Sequence, residues 1–157
     1  MEAIAVKELI SKQLESARDR YIKDFDAIDE PALGQSPGGV ARSPFDFTYE
    51  VSFVNKRIAK RLRGEVPEVV DMTGWMRAPE EFRSKGVAIA EFKASTDEVI
   101  TAWKAIPEGE LTKKIELPGG DSSPFNMATL CLGHVTYHDA QLNYLQSLTG
   151  DDEMHWD

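Results

Sequence analysis

The sequence predicts an all-α protein, most simply a four-helix bundle. Three observations point there. Four stretches carry apolar residues at intervals of three and four, the period of a buried helical face. Two of them open on Ser-Pro, at Ser43-Pro44 and Ser123-Pro124. Serine there can cap a helix, and proline suits the first helical position because its missing N–H costs nothing. No stretch shows the sustained two-residue alternation of a strand. The 157 residues are read as a single domain, 1–157, long enough for a sizeable core.

The first helix is predicted over residues 3–25. Val6, Leu9, Ile10, Leu14, Ala17, Tyr21 and Phe25 mark its inner stripe, and Lys7, Glu8, Lys12, Glu15, Arg18 and Asp19 take the other faces. From Asp29 to Arg42 the chain carries Pro31, Gly34, Pro37, Gly38 and Gly39 and reads as a long connection. A second helix is predicted from Pro44 to Arg63, stopping at Gly64, with Phe47, Val51, Val54, Ile58 and Leu62 inward. Residues 65–83 are broken by Pro67, Gly74 and Pro79, and Trp75 and Met76 are expected to pack this loop against the helices. Ser84 is placed to cap a third helix running to about Ala105 with Ile89, Phe92, Thr96, Ile100 and Trp103 on its inner face. Pro107 and Gly109 end it. Leu111 to Leu117 reads as a short extended segment ahead of Pro118-Gly119-Gly120. The last helix runs from its Ser123 cap to a stop at Gly150, about seven turns. The acidic tail, Asp151 to Asp157, either frays or docks Trp156.

Lys and Arg number 18 against 27 Asp and Glu, a formal charge of −9. That balance argues against nucleic-acid and anionic-membrane partners, which need clustered cations. Lys56-Arg57, Lys60-Arg61 and Arg63 read as the solvated face of the second helix. One cysteine excludes an internal disulfide and fits a reducing compartment. The N-terminal residues show no apolar signal region, and no run approaches the roughly 18 apolar residues of a membrane span. A cytoplasmic protein is expected.

The last helix carries the chemistry. His134 and His138 lie four apart, one turn from each other on one face, where they can share a cation. Met127, Cys131, Leu142 and Leu145 continue the same stripe, so the histidines sit on the buried face. Burial keeps imidazole neutral, the form that binds metal. The alternative is two core histidines satisfied by hydrogen bonds. Glu50 lies at the edge of the second helix's stripe, where a carboxylate needs a partner: a metal, an arginine or a polar network. It can instead lean to solvent and pair with Arg57 or Arg61. Cys131, one turn before His134, is the competing ligand, a nucleophile beside His134 or a small apolar filler. Asn55 is either a surface residue or a supporting donor. Gln141 can support the site, Asp139 is expected to face water, and His155 needs a folded-back tail to reach it. A His2Glu set of N and O donors suits zinc, nickel, manganese or iron.

The run His134-Val135-Thr136-Tyr137-His138-Asp139-Ala140-Gln141-Leu142-Asn143-Tyr144 resembles the last-helix motif of the DinB-like superfamily, the damage-inducible/YfiT-type metal-binding bundles. The tail Gly150-Asp151-Asp152-Glu153-Met154-His155-Trp156 resembles endings in one branch of it. The helix order, the long first connection and the Ser-Pro start of the second helix agree. The resemblance implies a nickel or zinc site of three histidines, two from the HxxxH pair and one from the second helix. Here the second helix has no histidine between Phe45 and Asn55, and Glu50 stands about where it would be. Glu50, His134 and His138 are thus the expected metal ligands. Relatives in the superfamily include S-transferases and isomerases that use low-molecular-weight thiols. The resemblance implies a metal-dependent thiol S-transferase acting on a small electrophile. The alternatives are a non-catalytic metal-binding or dimerising bundle and a metal-dependent hydrolase. A homodimer is expected.

Overall fold

The computed structural model describes residues 5–156. It is mostly helical. Four long helices, α1 (Val6–Ala27), α3 (Pro44–Leu62), α4 (Lys85–Ala105) and α5 (Pro124–Leu148), are accompanied by one short helix, α2 (Glu30–Leu33). A two-stranded antiparallel hairpin, β1 (Ile115–Leu117) and β2 (Gly120–Ser122), precedes α5. Ile115 pairs with Ser122 and Leu117 with Gly120, so Pro118 and Gly119 make the turn. Gly120 has φ of +131°, a value few residues with a Cβ adopt.

Three of the four long helices begin on capped serines. Ser43 accepts from the Asp46 N–H at 3.3 Å, Ser84 from Val87 at 3.4 Å and Ser123 from Asn126 at 3.2 Å. Each satisfies one of the donors that a helix start leaves free. α1 packs on α4 and α5, and α3 packs on the same two. Their inner stripes merge into one buried cluster that includes Leu14, Tyr21, Phe25, Val51, Ile58, Phe92, Val99, Trp103, Val135 and Leu142.

The structure departs from the sequence reading in several places. The predicted start of the first helix at residue 3 lies outside the described residues, and its end moves to Ala27. Val6 and Leu9, assigned to its buried stripe, are exposed. α2 interrupts the predicted connection because Leu33 is fully buried, and its burial fixes a helical turn around it. The extended segment is shorter, Ile115–Leu117, and pairs with Gly120–Ser122.

Residues 63–84 return from α3 to α4 without a long element, anchored by Asp46. This carboxylate, buried at the start of α3, accepts from the Ala78 N–H at 2.8 Å, Arg83 at 2.7 Å and Arg77 at 3.2 Å. Burial alone would push its pKa up. The Ala78 N–H, the Ser43 hydroxyl and the two arginines outweigh it and hold the carboxyl below its usual range. Trp75, expected to pack this loop against the helices, is 64% exposed and its ring lies under Arg42, whose guanidinium carbon is 4.5 Å from the ring centre. No helix among the described residues is long and apolar enough to cross a membrane.

Candidate metal centre

Glu50 from α3 and His134 and His138 from α5 meet where the two helices pack. His138 Nε2 lies 3.1 Å from His134 Nε2. Glu50 Oε1 lies 3.4 Å from His134 Nε2 and 3.8 Å from His138 Nε2. These three residues form the group of His, Cys, Asp and Glu side chains, among the described residues, whose ligand atoms could hold an ion. The circumradius of a triangle with sides 3.1, 3.4 and 3.8 Å is about 2.0 Å. Nitrogen and carboxylate oxygen bind zinc at about 2.0–2.2 Å. The donor spacing therefore fits a transition-metal ion without rearrangement.

Neighbouring groups orient these donors. Gln141 Oε1 lies 2.7 Å from His138 Nδ1 and accepts its proton. That leaves the Nε2 lone pair aimed at the centre, the arrangement that ligating histidines use. The Phe47 ring stacks on the His138 imidazole at 5.2 Å, and Tyr137 meets it edge-on at 4.9 Å. His138 is 1% exposed. Burial pushes its pKa down to about 4, aided by His134 and Arg42 and opposed by the Gln141 bond and Glu50. His134 is also lowered, by burial above all, with Glu50 pulling the other way. Both imidazoles are therefore neutral bases near pH 7. His134 Nδ1 is buried without a partner. The other nitrogen, Nε2, faces His138 Nε2 and Glu50 Oε1, and it is on this side that a cation would sit.

Glu50 takes its partner from an unexpected place. Neither Arg57 nor Arg61 reaches it. Arg42, just ahead of the α3 cap, pairs with its Oε2 through Nη1. The carboxylate thus divides its oxygens, one to arginine and one to the histidines.

The other candidates lie elsewhere. Cys131 is fully buried and donates to Asn55 Oδ1 at 3.3 Å. Burial pushes its thiol up to about 12, so it is neither a thiolate ligand nor a ready nucleophile. Asn55 is buried, not on the surface, and its amide donates to Thr96 at 3.1 Å. It bridges three helices rather than supporting the site. His155 pairs with Asp151 at 2.8 Å within the tail.

Asp139 does not face water; it is 4% exposed, against the fully buried Asp24 of α1. Burial and then Asp24 push its carboxyl up to about 8. Asp24 Oδ2 accepts from Asn143 at 2.7 Å and from the Trp156 indole N–H at 2.7 Å. The tail therefore docks: Trp156 also lies 5.3 Å from the Arg20 guanidinium, and Lys23 donates to its carbonyl at 3.0 Å. Asp24 was missed in the sequence. Its one signal was an acidic residue inside the turn that joins Tyr21 to Phe25 on the buried stripe.

No protein-family model matches the chain, and neither does any curated protein. Among solved structures it is similar to the crystal structure of a conserved protein from Enterococcus faecalis, with a TM-score of 0.73. The two share 17% of their residues, over 93% of this chain and 98% of that one. At this identity the likeness establishes a shared fold.

Proposed function

We propose that the chain is a DinB-like four-helix bundle that holds one divalent metal ion through Glu50, His134 and His138. The convergence of one carboxylate oxygen and two neutral imidazole nitrogens on a triangle of metal-ligand size carries this reading. Nickel and zinc suit the donors first, manganese and iron next. Three protein ligands leave positions open for a small molecule.

The favoured chemistry is S-transfer from a low-molecular-weight thiol to a small electrophile. A bound ion supplies Lewis acidity, which lowers the pKa of a thiol or water. The chain's own residues set the stage. Gln141 fixes the His138 tautomer. Arg42 holds the second oxygen of Glu50, so the first stays turned toward the histidines. Phe47 and Tyr137 cover the His138 ring and keep water from it. The same donors would serve a hydrolase that uses a bound water.

A non-catalytic bundle is the second reading, and the Arg42–Glu50 pair favours it. That pair already neutralises the carboxylate, and the histidines already share a hydrogen bond. Leu130, Tyr137, Tyr144 and Leu148 leave the outer side of α5 apolar and exposed, which supports a homodimer. A cytoplasmic setting accords with the lone cysteine being a free thiol.

Metal content by ICP-MS tests the metal site, on wild type and His138→Ala purified without a histidine tag. About one metal per chain, lost in the variant, is the expected result. No metal in either, even after loading with zinc or nickel, overturns the metal reading and leaves the non-catalytic bundle.

A further inference from the structure

Beside the Glu50–His134–His138 cluster lies a cavity of about 500 Å³. That size suits a small organic molecule. Its walls include Arg42, Phe47, Trp75, Tyr137, Gln141 and Tyr144. Four of these touch the cluster directly: Arg42 pairs with Glu50, and Phe47, Tyr137 and Gln141 contact His138. We propose that this cavity takes a small carboxylate-bearing molecule with a flat apolar body, its carboxylate on Arg42 and its body among the aromatic rings. The proposal deepens the reading of the cluster as a small-molecule centre and rests on it.

Charge is the first argument. The chain is −9 overall, yet Arg42 is the one charged residue in the cavity wall. Its charge is balanced by Glu50 alone. Any cation held by Glu50 and two neutral histidines leaves the cluster with a net positive charge. An anion is the occupant that a positive wall favours.

Arg42 also has donors to spare. Its side chain is 8% exposed, with its face on Trp75 and one arm on Glu50. A guanidinium carries five N–H donors in a planar fork that matches a carboxylate. Among the described residues, only Glu50 accepts a hydrogen bond from it.

The aromatic walls are the third argument. Trp75, Tyr137 and Tyr144 are 64%, 60% and 66% exposed, three large rings left wet around one cavity. A flat body between them would bury ring surface at little entropic cost to these stiff side chains.

The test is isothermal titration calorimetry of the full chain with trans-cinnamate and with its uncharged analogue cinnamamide. Both are run on EDTA-treated and on zinc-loaded protein. Cinnamate should bind at least about tenfold tighter than the amide, the size of one charge-assisted hydrogen bond. Arg42→Gln should erase that preference. Trp75→Ala, at a position 64% exposed, should weaken acid and amide alike. Equal binding of the two, binding of neither, or a preference that survives Arg42→Gln would overturn the proposal. So would a Trp75→Ala protein that binds cinnamate like wild type. An Arg42-dependent preference in a protein that holds no metal would leave this proposal standing and the metal reading fallen. Metal bound without the preference is the reverse.

Discussion

Two neighbours on α5, His138 and Asp139, are both buried, yet they belong to regions that solve the burial of polar groups in opposite ways. His138 faces α3 among bases and one carboxylate oxygen, beside an open cavity. Asp139 faces α1 and a second carboxylate, sealed by Asn143 and the docked tail. The first region gathers acceptors that a cation would join. The second gathers acids that a shared proton would join. Position along the helix decides this, because successive residues point about 100° apart and so meet different neighbours.

The pH dependence of stability would sharpen the contrast most. His138 is lowered to about 4 from the 6.5 of an exposed imidazole. The unfolded chain therefore binds more protons between those values, and stability rises with pH there. Asp139 is raised to about 8 from 3.8, so the folded chain holds the extra proton and stability falls across that window. Below 6.5 the two histidines, both lowered, oppose Asp139, and above it Asp139 acts alone. Urea melts of metal-free protein should show no net loss from pH 4.5 to 6.5, then a loss of about 2 kcal/mol by pH 8, one proton over 1.5 units. Asp139→Asn should remove that loss. An unchanged slope in the variant would break the comparison.

A smaller effect tests the seal. Trp156→Ala removes the indole donor to Asp24 and the ring beside Arg20. It should cost about 1–2 kcal/mol in chemical denaturation, from one hydrogen bond to a charged group and one cation–π contact. Metal binding, measured by the same ICP-MS assay, should not change, because the tail bonds lie on the α1 side. A loss of metal would show the two regions to be one.

The smallest effect concerns Cys131. Cys131→Ser should leave metal content unchanged, since the thiol bonds Asn55 and not the cluster. Native protein should also resist a thiol-specific reagent until denaturant is added. Loss of metal in the serine variant would restore Cys131 as a ligand.

What was legible in the sequence was local. Ser43-Pro44 and Ser123-Pro124 mark helix starts because capping needs only residues within one turn. The HxxxH spacing puts two rings on one face by helical geometry alone. Glu50 was legible as a carboxylate that needed a partner. That partner, Arg42, was not, because its side chain comes from a loop whose path the helix pattern does not encode. Asp139 read as a surface acid for the same reason: its burial is set by Asp24, more than a hundred residues away in α1. α2 was hidden inside a stretch with five Pro and Gly residues, where one buried leucine outweighs the turn formers.

The return from α3 to α4 has one further consequence. Its exposed stretch includes Val66 and Val69, 92% and 100% accessible, yet both its flanks are tied down. Arg57 holds the Glu68 carbonyl at 2.7 Å on one side, and Asp46 grips Ala78, Arg77 and Arg83 on the other. A peptide bond cut between residues 70 and 74 would separate the covalent chain but not these anchors or the α3–α4 packing. Two fragments cut there are expected to stay associated, which size-exclusion chromatography after limited proteolysis would check. α1 and α3 would lie in one, α4 and α5 in the other, and Glu50 would be separated from its two histidines until the fragments came together.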